Sequence, residues 1–375
     1  MFRLCIVILL LIHGAIHLIG LVHAFQWWPL AMMTKPIERG VGVVWGLAAV
    51  LMVVPAILIL VHDRRWWMIA AMAVAVSQIV IIRQWHDARF GTIANVLVLL
   101  AVISGAASWS FHRRYAAAVS QALASTREAP QRIIVDADLI ALPIAVQRYL
   151  RASGVIGTNQ PRNMRLTFTG QLRSEGGPWM QITTEQVNSF AIPSRFFWMN
   201  TTMKGVPVDG FHSYDNGVAS MRIKLFGLFA VVDVGSANSH GDSELDIAET
   251  VTWFNDLCLF APGALLDSRI SWQTVAANAP LGVEEVIATF TDHQRSISAR
   301  LVFDDQDRLV NFISDDRYLV APHKAPVRRR FSTPASAHRI VDGRLLPGHG
   351  DAIWQLPEGP FVYGQFTLTS ITYDL

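Results

Sequence analysis

The chain has 375 residues, 52% of them hydrophobic and 16% charged, with a formal net charge of +2. Residues 1–111 hold seven Lys or Arg against three Asp or Glu, and the remainder holds 24 against 26. The basic excess therefore lies beside the most apolar part of the chain, where anionic lipid is the expected partner, and the rest has no basic bias for nucleic acid.

Four stretches without Asp, Glu, Lys or Arg fill the first 111 residues, at 4–25, 41–61, 66–82 and 93–111. Each is long enough as a helix to cross a hydrocarbon core of about 30 Å. Lipid offers no other partner to backbone groups, so each predicts a spanning helix. The first is read as a retained anchor rather than a cleaved signal, because three more follow. Trp27, Trp28, Trp66, Trp67 and Trp85 fall at span ends, where an aromatic belt forms. Four spans place both termini on one side. Arg3, Arg64, Arg65, Arg113 and Arg114 fall on that side, and Lys35, Arg39, Arg83 and Arg89 on the other. Five against four slightly favours cytoplasmic termini in an inner-membrane, multi-pass protein.

His13 and His17 in the first span lie about 40° apart on a helical wheel, on a face shared with Gly20 and Ala24. Ionisable groups in a membrane are costly and point to a site. Two readings stand: ligation of a metal or haem by His13 and His17, or neutral imidazoles hydrogen-bonded to Gln78 or Asn95. His62-Asp63 and His86-Asp87 flank the third span and read as interfacial residues.

Residues 112–157 form an amphipathic helical connector, with Leu139, Pro143, Val146 and Leu150 at helical spacing and a break near Pro130. From 158 to 375 the period drops to two. Ile297, Ala299, Leu301 and Phe303 share one strand face, and Asp304-Asp305-Gln306-Asp307 turns into a second strand at 309–314. Further strands are expected near 164–172, 180–187, 195–204, 221–234, 270–275, 285–291, 335–340, 352–356 and 361–373. One helix, about 243–258, interrupts them. Ser243-Glu244-Leu245-Asp246 has the form of a capping box. Ile247, Val251, Phe254 and Cys258 then make an apolar stripe, with Asp242, Asp246 and Glu249 on a face read as solvated. Cys5 and Cys258 are too far apart in character to predict a disulfide.

The segments IHGAIHLIGLVHAF, VSQIVIIRQWHDARFGTIANVLVLL, ALPIAVQRYLRASGVIG and WQLPEGPFVYGQFTLTSITYDL resemble an uncharacterised bacterial family that joins a small helical membrane region to a β-rich domain of unknown function. Its β domain is similar to the lipoprotein-carrier (LolA-like) type. The resemblance implies an α-helical membrane region plus an α+β domain: four transmembrane helices, then a curved, half-barrel-like antiparallel sheet packed on a helix around an apolar cavity. By the same analogy the β domain would lie on the periplasmic side, against the charge count. The resemblance carries over no activity.

No G-x-S-x-G, H-E-x-x-H, C-x-x-C or P-loop pattern occurs. His240-Gly241-Asp242 and His349-Gly350-Asp351 are the nearest to paired ligands and read as loop residues. Asp315-Asp316-Arg317-Tyr318 reads as a turn or edge, and Arg328-Arg329-Arg330 as an exposed cluster. The aromatic residues Phe197, Trp198, Phe229, Trp253, Phe254 and Trp272 are the candidate lining of an apolar ligand site. The expectation is a membrane-anchored, non-enzymatic protein that binds a lipid or other apolar molecule and needs no cofactor. The alternatives are a metal- or haem-dependent redox enzyme and a scaffold for another protein.

Overall fold

The computed structural model describes all residues except 1, 29–32, 128–130, 236–242, 276–281, 293–294 and 321–324. The chain divides into two compact units. One is Met1–Arg113 with Met203–Val208 and Lys224–Phe229, and the other is Arg114–Thr202 with Asp209–Ile223 and Ala230–Leu375.

The first unit holds α1 (Phe2–Ala24), α2 (Arg39–Leu60), α3 (Trp66–Arg83), the short α4 (Trp85–Ala88) and most of α5 (Gly91–Thr126). Four of them, α1, α2, α3 and α5, are long and apolar enough to cross a membrane. Leu4, Ile8, Ile12 and Ile16 repeat every four residues along α1 and are exposed, while Ile6, Leu10, His13 and His17 are buried against its neighbours. That division is what a helix with one face to lipid and one to a bundle requires. A Cβ on Gly20 would lie 2.2 Å from Trp45 Cδ2, so glycine is what lets α1 meet α2. The Trp45 indole cannot retreat easily, because the His17 ring lies 5.1 Å away from it between centroids. Replacing Gly20 with Leu is therefore expected to cost about 1–3 kcal/mol through overpacking, read as a lower melting temperature of the detergent-solubilised protein. The α4 loop is held by Asp87, which accepts hydrogen bonds from Thr34 N at 2.9 Å and Thr34 Oγ1 at 2.7 Å.

The fourth long helix does not stop at residue 111. It runs on to Thr126, because Arg113 and Arg114 end the apolar run but not the helix, and Ala116, Ala117, Ala118, Ala122 and Ala124 are strong helix formers. The expected connector is thus three pieces: the end of α5, a 3-10 turn at Asp136–Leu139, and α6 (Ile144–Ala152). The break expected near Pro130 falls outside the described residues.

The strands are β1 (Asn163–Leu172), β2 (Met180–Ser189), β3 (Ser194–Met203), β4 (Val206–Asp215), β5 (Val218–Leu225), β6 (Phe229–Val234), β7 (Ile270–Thr274), β8 (Glu284–Asp292), β9 (Arg295–Phe303), β10 (Leu309–Ser314), β11 (Tyr318–Leu319), β12 (Val327–Arg328), β13 (Phe331–Ser336), β14 (Arg339–Val341), β15 (Arg344–Leu346), β16 (His349–Leu356) and β17 (Gly359–Tyr373). Thirteen of them form one sheet in the order β6-β5-β4-β3-β2-β1-β17-β16-β13-β10-β9-β8-β7. The order is that of a meander broken once, where β1 pairs with the last strand, β17. The sheet does not close on itself, which leaves it half-barrel-like around α7 (Glu244–Phe260).

The capping box forms as expected. Ser243 Oγ accepts from Asp246 N at 3.2 Å, and Asp246 Oδ2 accepts from Ser243 N at 3.0 Å. One side of α7 packs solidly on β8–β10: Val251, Phe254, Leu257 and Cys258 meet Phe290, Ala299, Leu301 and Phe312, all fully or almost fully buried. The Phe254 ring lies 5.7 Å from that of Phe290 and 5.9 Å from that of Phe312. The acidic face of α7 is not solvated, contrary to the sequence reading. Asp246 is 0% exposed and Glu249 8% exposed. Asp246 Oδ1 takes the Ala219 N–H at 2.6 Å, and Glu249 meets Arg195 of β3. Asp242 lies outside the described residues.

Candidate functional site

The other side of α7 faces a cavity of about 180 Å³. It lies wholly within the second unit. Its apolar wall comes from Phe168 and Leu172 on β1, Phe197 on β3, Leu259 and Phe260 on α7, and Phe366 and Leu368 on β17. Phe331, Ala335, Gly350 and Ala352 continue it on β13 and β16. Strand alternation explains the wall: residues two apart on one strand face the same side.

One end of the cavity is polar, and two registers build it. In β2 and β3, Gln186 pairs with Phe197 and Asn188 with Arg195, so all four sit as neighbours. On α7, Glu249, Thr252 and Asp256 recur at i, i+3 and i+7 and share one stripe. Asp256 Oδ2 accepts from Arg195 Nε at 2.8 Å, Gln186 Nε2 at 2.7 Å and Asn188 Nδ2 at 3.3 Å. Glu249 Oε2 accepts from Arg195 Nη1 at 3.3 Å. Burial alone would pull the Arg195 guanidinium down, but the charges of Asp256 and Glu249 outweigh it and hold the pKa above its usual value.

Arg317 enters from the segment between β10 and β11. Its Nε donates to Thr252 Oγ1 at 3.1 Å and its Nη1 to Tyr363 OH at 2.9 Å. Its guanidinium carbon lies 4.2 Å from the Phe331 ring centre and 4.7 Å from that of Trp354. The turn role read for Asp315-Asp316-Arg317 is divided: Asp315 binds Arg330 at 2.7 Å, Asp316 binds Arg328, and Arg317 turns inward. Arg328 and Arg330 are thus paired, not a free cluster. His212 on β4 packs edge-on to Phe197 with ring centroids 5.6 Å apart. Burial pushes its pKa down to about 4. His349 meets Thr367 Oγ1 at 3.2 Å and Asp351 Oδ1 at 3.3 Å and lines the cavity beside Gly350. His240-Gly241-Asp242, its suggested companion, lies outside the described residues.

Of the six aromatic candidates, only Phe197 lines the cavity. Trp198 is the next residue along β3, so its side chain points to the opposite face, against Tyr115 at 6.0 Å. Trp253 and Phe254 lie on the core side of α7, and the Trp253 indole donates to Ser189 O at 2.9 Å. Trp272 packs against the same core. Phe229 is 64% exposed and belongs to the first unit. Sequence reading did not single out Phe168, Phe260, Phe366, Arg195 or Asp256, and it assigned Arg317 only to a turn or edge.

The intramembrane histidines meet each other with ring centroids 4.7 Å apart. His13 Nε2 lies 2.9 Å from Asn95 Oδ1, and His17 Nε2 lies 2.7 Å from Ser77 Oγ. Among the described residues Gln78 hydrogen-bonds neither ring and instead accepts from Asn95 Nδ2 at 2.9 Å. Both Nδ1 atoms lack a hydrogen-bond partner. Among the described residues, no three His, Cys, Asp or Glu side chains are grouped to hold a metal ion.

Residues 132–366 match DUF6544, a family of unknown function. Among solved structures, the chain is similar to the crystal structure of a domain described as a candidate outer-membrane lipoprotein-sorting protein from Vibrio parahaemolyticus. The likeness has 8% identity and a TM-score of 0.35, over 61% of this chain and 90% of that one. No curated protein matches significantly.

Proposed function

We propose that this chain, which belongs to the DUF6544 family, uses its β domain to bind one apolar or amphipathic molecule beside the membrane in which its four long helices anchor it. The role is binding, not catalysis. The supporting observation is the cavity: an aromatic and aliphatic wall closed at one end by charged side chains, the usual form of a small-ligand site. Its volume sets the size of the guest. An apolar cavity of about 150 Å³ accepts benzene, so about 180 Å³ accommodates a ring or a length of one alkyl chain, not both chains of a phospholipid.

The test is to fill the cavity without disturbing the sheet. Gly350 lines it, and a Cβ there would meet only Thr333 Cγ2 at 3.5 Å and Pro334 O at 3.7 Å, which are ordinary contacts. Gly350→Leu is expected to abolish binding of a single-chain apolar molecule while changing stability by less than about 1 kcal/mol, since a strand glycine gains from a side chain. Native mass spectrometry of the detergent-extracted full chain reads the bound species. Wild type with no adduct, or Gly350→Leu with the same adduct, refutes the reading.

A further inference from the structure

We infer that Arg317 is the anion-recognising group of this cavity, and that the guest carries one oxyanion, carboxylate or phosphate, on a single alkyl chain; the inference rests on the binding role proposed above. The charges around the cavity are unequally matched. Arg195 has two carboxylates within 3.3 Å, Asp256 and Glu249. Asp351 has His349. Asp315 and Asp316, next to Arg317 in sequence, are taken by Arg330 and Arg328. Among the described residues Arg317 has no ion-pair partner, only the neutral oxygens of Thr252 and Tyr363.

A guanidinium carries five N–H donors. Two of those on Arg317 are used, and they fix the group while Phe331 and Trp354 hold its plane. A cation placed against aromatic rings at the edge of an apolar wall is costly unless an anion joins it. The planar fork matches a carboxylate or phosphate, and it is already ordered before any ligand arrives. Phe168, Leu172, Phe366 and Leu368 on the neighbouring wall offer no polar partner to the rest of the guest and suit an alkyl chain.

Three photoreactive probes with a diazirine at the chain end separate the possibilities: decanoate, decyl phosphate and decanol. Each is presented to the full chain in phosphatidylcholine nanodiscs, and labelled peptides are mapped. The anionic probes are expected to label the peptides bearing Phe168 and Phe366 at least about tenfold more strongly than decanol, the scale of one hydrogen bond to a charged group. Preference between the two anions identifies the head as carboxylate or phosphate. Arg317→Gln should bring the anionic probes down to the level of decanol measured on the same variant, whose decanol labelling also reports an intact cavity. Arg317→Lys should recover part of the difference. If that variant does not fold, the anion-to-alcohol ratio in wild type decides alone. Decanol labelling equal to the anions overturns the role of Arg317 but leaves the binding function standing. Inorganic phosphate displacing the probes at equal concentration overturns the alkyl requirement. No labelling of these peptides by any probe overturns both proposals.

Discussion

Asp256→Ala is expected to destabilise the β domain by about 3–5 kcal/mol, the cost of removing one partner from a buried ion pair. One carboxylate oxygen of Asp256 gathers Arg195, Gln186 and Asn188 within 3.3 Å. Without it, a guanidinium that is only 8% exposed keeps Glu249 alone, and two amides lose an acceptor. The adjoining cavity lets water reach Arg195, which places the loss nearer the lower figure. At roughly 2–4 °C per kcal/mol, the melting temperature should fall by about 10 °C. Asp315→Ala is the control. Asp315 pairs with Arg330 across a side chain that is 63% exposed, and such pairs contribute about 0–1 kcal/mol. Equal losses for the two variants, by thermal unfolding in the same detergent, would refute the argument from burial.

The cluster around Asp256 also marks the limit of what the sequence makes legible. The β9–β10 hairpin is readable because Ile297, Ala299, Leu301 and Phe303 alternate strictly and all four are buried. The start of α7 is readable because the capping box is local chemistry. β4 is missed because Pro207, Asp209 and Gly210 interrupt its pattern. The single strand expected at 221–234 is two, β5 and β6, joined by a turn in which Phe226 and Gly227 both have positive φ, 55° and 69°. A non-glycine residue at positive φ leaves little trace in sequence.

The candidate site fails to show for a different reason. Acidic residues on a helix are normally solvated, and only the tertiary pairing with Arg195 buries Glu249 and Asp256. The available signal is polarity in the wrong place. Gln186, Asn188 and Arg195 stand at buried positions of β2 and β3, and Asp256 interrupts the apolar run of α7. Aromatic content misdirects instead: Trp253 and Phe254 are large because they fill the solid side of the domain. Phe197 lines the cavity because its side chain lies on the same strand face as Arg195, two residues away.

The second large effect is acid destabilisation through His212. Burial, the dominant cause, holds this imidazole at about 4 in the folded chain, with Arg195 and Arg317 pushing in the same direction and Glu249 opposing them. In the unfolded chain it titrates near 6.5. Between those values the unfolded state binds a proton that the folded state refuses, so stability is fully present above pH 6.5 and is lost as the pH falls toward 4. From pH 7.5 to 4.5 the loss attributable to His212 is about 2.5 kcal/mol. His338, also pushed down by burial, adds a loss of the same sign, so the measurement is the difference between wild type and His212→Gln in denaturant unfolding across that range. Wild type should fall more steeply than the variant. A shallower fall would mean that Glu249 governs and that the folded imidazole is protonated. An anion held by Arg317 removes one of the charges that keep His212 neutral. By linkage, the proton and the anion then favour each other, so decyl phosphate, which stays anionic at pH 5 whereas decanoate is partly protonated there, should bind wild type more tightly at pH 5 than at pH 7.5, and this gain should vanish in His212→Gln.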